Sequence, residues 1–433
     1  MACVGDGRRH PGDVCATRPG RGRRRVSTSL RVLVITQYFP PEPGGAQNRL
    51  GSFVDGLVAR GHDVTVVCEQ PNHPGGVFHP GFGRRLVVTE RSERRTVHRL
   101  WVATSPRKTT TRRLLFYGTF AAGAAIAVAL SRGQDVVFAS SPPLPGALAA
   151  AAGAAIRGAR FVLDVRDLWP AAAEALGELS DARVLRALER AERWLYGRSE
   201  AVTAATLPFC EHIDRVAGRG ISVHLPNGAL DELLALPERP VPRRVPFTLG
   251  YVGNLGLAQG LSIVLDAAEL LRGSDVRFLL VGDGPLAAGL REERDSRGLE
   301  AVQLRPLVAV EQLGALLQSC HALLVPLSSH PLLADFIPSK LYDAMAVGRA
   351  TIVAAGGETA RLTTAAGAGI VVPPEDGEAL AAAVRTLAQD PALTSALGQR
   401  GRSAAAAHAR SRQIARLEQV LIEVSRRLPP VPA

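Results

Sequence analysis

From Arg31 onward, short runs of consecutive apolar residues alternate with longer segments whose apolar positions recur every three to four residues. Six runs in the first half predict strands: Arg31–Thr36, Val64–Cys68, Val136–Ala139, Phe161–Asp164, Ala201–Ala204 and Val223–Pro226. Segments between them, such as Leu50–Arg60, Leu114–Ser131 and Ala182–Gly197, carry a helical pattern. A strand that is apolar throughout is covered on both faces, which is the signature of a parallel sheet between helical layers. The alternation breaks between Pro226 and Pro246, where five prolines and an Arg-Arg pair give a linker composition. It then restarts with Phe247–Val252, Val276–Val281, Ala322–Val325, Thr351–Ala354 and Ile370–Val372.

The expected fold class is α/β: two doubly wound, Rossmann-like domains facing each other across a cleft. Ligands then bind at the carboxyl ends of the strands. The expected boundaries are an Arg-rich extension over 1–29, a first domain over 30–225, a linker over 226–245 and a second domain over 246–403. C-terminal helices that pack back, and a tail, occupy 404–433.

Composition narrows the function classes. The 433 residues carry a net charge of +11, of which seven Arg and two Asp in residues 1–29 supply +5. That extension has no apolar core of signal-peptide length, and its composition suits disorder. A basic balance suits phosphate-bearing small molecules or an anionic membrane surface. Only 5% of residues are aromatic and no basic stretch is interleaved with stacking rings, which argues against a nucleic-acid groove. Five scattered cysteines, with no CxxC and no HExxH, support neither a disulfide framework nor a zinc centre. They suit a reducing cytoplasm. Neither a metal nor an organic cofactor is expected.

Leu114–Leu130 is apolar or small throughout but short for a membrane span of about 20 residues. A buried helix of the first domain is the expectation. Arg107, Lys108, Arg112 and Arg113 just ahead of it also fit a helix lying on an anionic leaflet.

Five turns carry candidate chemistry. Gly44 and Gly45 follow the first strand, where glycine permits close backbone approach and a helix start offers N–H groups to an anion. Arg166 and Asp167, in Asp164-Val-Arg-Asp-Leu-Trp-Pro170, fit a phosphate ligand and a hydroxyl partner, or equally a structural Arg–Asp pair. Gly253, Asn254 and Gln259 open the second domain in the same way, without a clean dinucleotide fingerprint. Asp335, Ser339, Lys340, Leu341 and Asp343 surround a helix start after Pro338. Unpaired amides and a lysine there suit an anion, and Asp343 one turn on suits vicinal hydroxyls. Glu358 sits in the first turn after Gly356-Gly357, as a sugar-hydroxyl acceptor or a plain dipole partner.

These motifs, in this order, resemble family 4 glycosyltransferases with the GT-B fold, over Arg31 to about Val424. The Gly44-Gly45 loop, Gly61-His-Asp-Val64, Leu280-Val-Gly-Asp-Gly-Pro285 and Asp343-Ala-Met-Ala-Val-Gly348 carry the likeness. Asp164–Pro170, Gly253–Gly260 and Pro338–Tyr342 resemble the WbuB-like L-fucosamine transferase subgroup. The resemblance implies a retaining transfer from a nucleotide sugar, usually UDP-linked, without an obligatory metal. It places the acceptor in the first domain and the donor in the second. The transferred sugar is expected to be an N-acetylated amino sugar. The acceptor is expected to be a glycan or polyprenyl-linked hydroxyl in cell-surface polysaccharide synthesis, at the inner face of the cytoplasmic membrane.

The family's paired acids fall on Asp335 and Asp343, both Asp where Glu is usual. Its diphosphate-holding Arg and Lys are replaced by Asn254 and Gln259. The catalytic set expected is therefore Arg166, Asp167 and Lys340, with Lys340 and the amides at 339–341 neutralising the leaving diphosphate. Two rival readings are a UDP-sugar 2-epimerase of the same fold and a non-catalytic sugar-nucleotide-binding scaffold.

Overall fold

In the computed structural model the described residues are 29–42, 44–73, 75–107, 109–170, 181–242 and 246–426. The expected disordered extension, apart from Ser29, and the Pro-rich tail lie outside them, as do Lys108 and the Arg243-Arg244 pair.

The first sheet has eight strands: β1 Arg31–Ile35, β2 Asp63–Glu69, β3 Val87–Arg91, β4 Arg95–Leu100, β5 Val136–Ser141, β6 Arg160–Val165, β7 Ala201–Ala204 and β8 Ser222–His224. Their order is β3-β4-β2-β1-β5-β6-β7-β8, and every pair is parallel except β3 with β4. The second sheet holds β9 Phe247–Val252, β10 Val276–Val281, β11 Val302–Arg305, β12 Ala322–Pro326, β13 Ala350–Ala354 and β14 Gly369–Val372. It runs β11-β10-β9-β12-β13-β14, all parallel. Strand order reverses at β1/β5 in one sheet and at β9/β12 in the other. Both reversals leave a crevice at the strands' carboxyl ends, where the expected cleft lies.

Each sheet is buried on both faces. In the first, Leu33, Ile35, Val137 and Leu163 face one helical layer and Val32, Val34, Phe138 and Val162 face the other. In the second, Leu249, Phe278 and Ile352 oppose Leu279, Val325 and Val353. The helix Pro391–Ala407 closes the second domain. The last helix, Arg410–Arg426, returns to the first: Ile414, Leu417, Leu421 and Val424 complete a core with Phe53, Leu57 and Val66.

Three strands had no run in the sequence reading. β3 and β4 are a polar edge hairpin, and β11 is a four-residue edge strand that runs from buried Val302 to exposed Arg305. The segment expected as a buried helix is corrected as well. The helix Thr110–Leu130 buries only Phe120, Ala124 and Val128. Its packing is set by small residues of the neighbouring helix Leu144–Arg157. A Cβ on Gly153 would stand 2.9 Å from Val128, so the two helices touch backbone to side chain along one narrow stripe. The opposite face stays open.

Candidate functional site

Between the domains lies a cavity of about 410 Å³. Gly45, Arg49, Arg166 and Asp167 line it from the first domain, and Gln259, Asp335, Phe336 and Ser339 from the second. Gly45 starts the helix Gly45–Ala59 and Ser339 starts the helix Ser339–Ala346, so two helix N-termini converge on the cavity. They come close: a Cβ on Gly45 would sit 3.8 Å from the Ser339 hydroxyl. Neither helix is capped by a side chain. Their first N–H groups are donors of the kind that anions satisfy.

Lys340 follows Ser339 in the first turn but, unlike Ser339, does not itself line the cavity. Its Nζ donates to the Tyr251 hydroxyl at 2.6 Å and stands 4.1 Å from that ring's centre. Tyr251 in turn donates to the Asn254 carbonyl at 2.5 Å, fixing the turn that follows β9. Gly253 in this turn has φ +146°, and a Cβ there would lie 3.1 Å from the lysine Nζ. Only glycine gives this conformation and this approach at low cost. No carboxylate among the described residues pairs with the ammonium, and burial alone lowers its pKa from 10.5 to about 7. A half-buried lysine without a carboxylate partner among the described residues, beside an uncapped helix start, has the chemistry that an anion would satisfy.

The first-domain wall is built around a different pair from the one the sequence suggested. Asp164, fully buried at the end of β6, binds Arg49 at 2.9 Å. Arg49 also donates to the carbonyls of Leu225, at 2.8 Å, and Pro226, at 3.0 Å. The structural Arg–Asp pair is therefore Arg49–Asp164, which frees Arg166 and Asp167 to face the cavity. Arg166 Nε donates to Ser140 at 2.9 Å and its Nη2 to the Pro142 carbonyl. Burial pulls its pKa down, opposed by Asp164. Burial raises that of Asp167, opposed by Arg166.

The remaining candidates divide. Asp335 reaches the cavity from the 3₁₀ turn Pro331–Asp335. Its pKa is raised by burial and by the charges of Glu358 and Glu211. Glu358 is paired with Arg361, Gly44 precedes the first helix, and neither lines the cavity. Gln259 turns its Oε1 to the Gly256 amide at 3.2 Å, and Asn254 is exposed outside the wall. Leu341 needs a correction: its N–H donates to the Pro338 carbonyl at 3.0 Å, so the open amides are those of Ser339 and Lys340. Asp343 is drawn towards the linker, where the Arg410 charge and the Leu230 N–H both act to lower its pKa. Its Oδ1 is buried without a partner. Burial raises its pKa to about 6.

Tyr251 and Arg49 were missed by sequence reasoning. Tyr251 lies in β9, two residues ahead of the Gly253–Gly260 motif, and its partnership with Lys340 spans 89 positions. Arg49 follows the Gly44-Gly45 turn by one helical turn, and that spacing was the available signal.

Residues 44–228 match the family described as glycosyl transferase 4-like domain, and residues 246–390 match glycosyl transferases group 1. Among curated proteins, the putative colanic acid biosynthesis glycosyl transferase WcaI of Escherichia coli K12 is 27% identical over 383 residues, 82% of this chain and 91% of that one. Among solved structures, sucrose-phosphate synthase from Thermosynechococcus elongatus superposes with a TM-score of 0.68 at 19% identity, covering 91% of this chain and 99% of its own. HepE of Anabaena, solved with UDP, gives a TM-score of 0.66 at 16% identity, covering 91% of this chain and all of its own. The fold is GT-B.

Proposed function

The chain is a glycosyltransferase, a 4-like domain followed by a group 1 domain, and on that premise we propose that it is a retaining enzyme using a nucleotide-diphosphate sugar. UDP is the favoured nucleotide, and HepE, a structural neighbour, was solved with it. The sugar is an N-acetylated amino sugar, as in the WbuB-like subgroup that Asp164–Pro170 and Pro338–Tyr342 resemble. The acceptor is a hydroxyl of a glycan or lipid-linked glycan in cell-surface polysaccharide synthesis. WcaI, by its description, belongs to colanic acid biosynthesis.

One observation carries the reading: an unpaired ammonium, Lys340, held by Tyr251 at the open start of the helix Ser339–Ala346. A departing diphosphate develops charge, and a fixed cation with fixed amides stabilises it most where water is scarce. In a front-side transfer the bond from the sugar's anomeric carbon to the diphosphate breaks and the bond to the acceptor oxygen forms on the same face. The acceptor's proton passes to a diphosphate oxygen. Arg166 faces, from the first domain, the cavity that Ser339 lines from the second, and adds positive charge once the domains close on the donor. Asp167 orients the acceptor hydroxyl. Asp335 accepts hydroxyls of the transferred sugar.

The test is a panel of nucleotide sugars offered to the protein with and without a lipid-linked acetamido-sugar acceptor, read as UDP release. Acceptor-dependent release from one donor supports transfer. Conversion of the donor to its epimer without an acceptor, or binding without any turnover, refutes it in favour of an epimerase or a scaffold.

A further inference from the structure

The open face of Thr110–Leu130 is continuous. Leu115, Gly118, Ala122, Ile126 and Leu130 recur at helical spacing and are all exposed, with Leu115 at 55%, Ile126 at 60% and Leu130 at 75%. Phe120, Ala124 and Val128 occupy the opposite side, against the domain. By length and composition the helix would cross a bilayer, but that buried stripe fastens it to the helix Leu144–Arg157. It is therefore placed to lie along a surface. Its ends are basic: Arg107, Arg112 and Arg113 at the start, Arg132 and Arg157 at the finish, all exposed. The sequence holds no Asp or Glu between Glu93 and Asp135. Apolar side chains rimmed by arginines, with acids absent, complement an anionic bilayer.

Beneath the first turn of this helix is a second cavity, of about 240 Å³. Tyr38, Asn72, Thr104, Arg107, Arg112 and Arg113 line it, and none of its lining residues is a carboxylate. Arg112 is steadied by a hydrogen bond to the Ser105 hydroxyl. Two acids stand behind the wall. Glu42 Oε1 accepts the amides of Asn72 and His73 at 2.8 Å each while its Oε2 is buried without a partner, and Glu69 accepts from Gln37 at 2.8 Å and Asn72 at 2.7 Å. Tyr38 and Asn72 follow the carboxyl ends of β1 and β2, the edge of the sheet from which Arg166 follows β6. The arginine pocket and the cleft thus share that edge of the first domain.

We propose that the arginine pocket holds the phosphate groups of a long-chain lipid phosphate, the anchor of the acceptor, while the exposed helix face rests on the bilayer. The inference rests on the glycosyl-transfer reading and gives it an acceptor class. An acceptor anchored there presents its sugar towards Arg166 and Asp167 with the tail still in lipid.

Flotation with vesicles tests this in the absence of turnover. Three compositions are used: phosphatidylcholine alone, phosphatidylcholine with a few mole per cent polyprenyl phosphate, and phosphatidylcholine with phosphatidylglycerol at matched charge. The wild type is expected to float best with polyprenyl phosphate. Arg112→Ser with Arg113→Ser removes that preference, lowering affinity about thirtyfold if each arginine near the surface counts as usual. Leu115→Asp with Ile126→Asp abolishes flotation with all three. All these positions are exposed, and unchanged melting temperatures confirm folding. Equal flotation with phosphatidylglycerol and polyprenyl phosphate overturns the proposal, since the arginines are then only a basic surface. No flotation of the wild type overturns it too. UDP affinity, measured on the same samples, stays at the wild-type value in every variant. Loss of UDP binding by the wild type would count against glycosyl transfer and leave the vesicle result standing.

Discussion

Lys340 offers a quantitative handle on the donor site. With its pKa lowered from 10.5 to about 7 by burial, the empty protein holds a mostly neutral amine above neutral pH. A bound diphosphate favours the ammonium, so binding draws a proton from solution. Affinity for UDP is then expected to fall about tenfold for each pH unit above 7, because one proton enters the equilibrium. Between pH 7 and pH 9 the loss approaches about a hundredfold. UDP itself is fully ionised over this range, its last phosphate pKa lying near about 6.

Lys340→Met removes the titrating group. At pH 7 the variant binds UDP about 30–150-fold more weakly, the value of a charge-assisted hydrogen bond of about 2–3 kcal/mol. Its affinity is flat between pH 7 and 9. Folding moves the other way. Between pH 7 and 10.5 the unfolded chain holds a proton on Lys340 that the folded chain sheds, so this residue makes the wild type more stable as pH rises. The Met variant, relieved of a buried charge, melts higher than wild type at pH 6 in the absence of nucleotide. Calorimetry in buffers of different ionisation enthalpy reads the proton directly. A pH-independent affinity in the wild type, or the same slope in Lys340→Met, would refute the assignment.

Arg49→Met strands the Asp164 carboxylate at full burial and is expected to cost about 3–5 kcal/mol in chemical denaturation. Gly253→Ala forces a side chain into φ +146° and against the Lys340 Nζ, so a stability loss of about 1–3 kcal/mol accompanies loss of UDP binding in titration. Asp343, with its pKa raised from 3.8 to about 6, is protonated when folded and ionised when unfolded across that window. Stability from this group is present below pH 3.8 and lost as pH rises to about 6. Asp343→Asn therefore flattens the melting temperature against pH between 4 and 6, as read by thermal scans.

The parts of the fold legible in the sequence are those where one physical signal dominates. β7, β9 and β10 begin and end where their apolar runs do, because both faces of each are covered. β3, with sequence VVTER, and β4, with RTVHRL, pair at the sheet edge, where solvent permits charges. Their pattern is that of a loop unless the partner is known. The lining of the interdomain cavity was legible in part: Arg166, Asp167, Asp335 and Ser339 were all marked by position after a strand or at a helix start. Their partners were not, because Arg49 with Asp164 and Lys340 with Tyr251 meet only through the sheet topology. The helix Thr110–Leu130 misled for the opposite reason. Apolar composition reports a preference for leaving water, and says nothing of whether protein or lipid receives the face.

The chain passes between the domains twice, once through the linker and once at residues 408–409. The two passages are stitched together: Ala229 N–H donates to the His408 carbonyl at 2.9 Å, and Arg410 N–H to the Ala229 carbonyl at 2.8 Å. A single connector behaves as a ball joint, free to swivel. Two connectors bonded side by side behave as a hinge with a pin, which opens and shuts but resists torsion. Such a seam restricts the relative motion of the domains to one axis, so that the first turns at Gly45 and Ser339 return to one alignment whenever the proposed closure occurs.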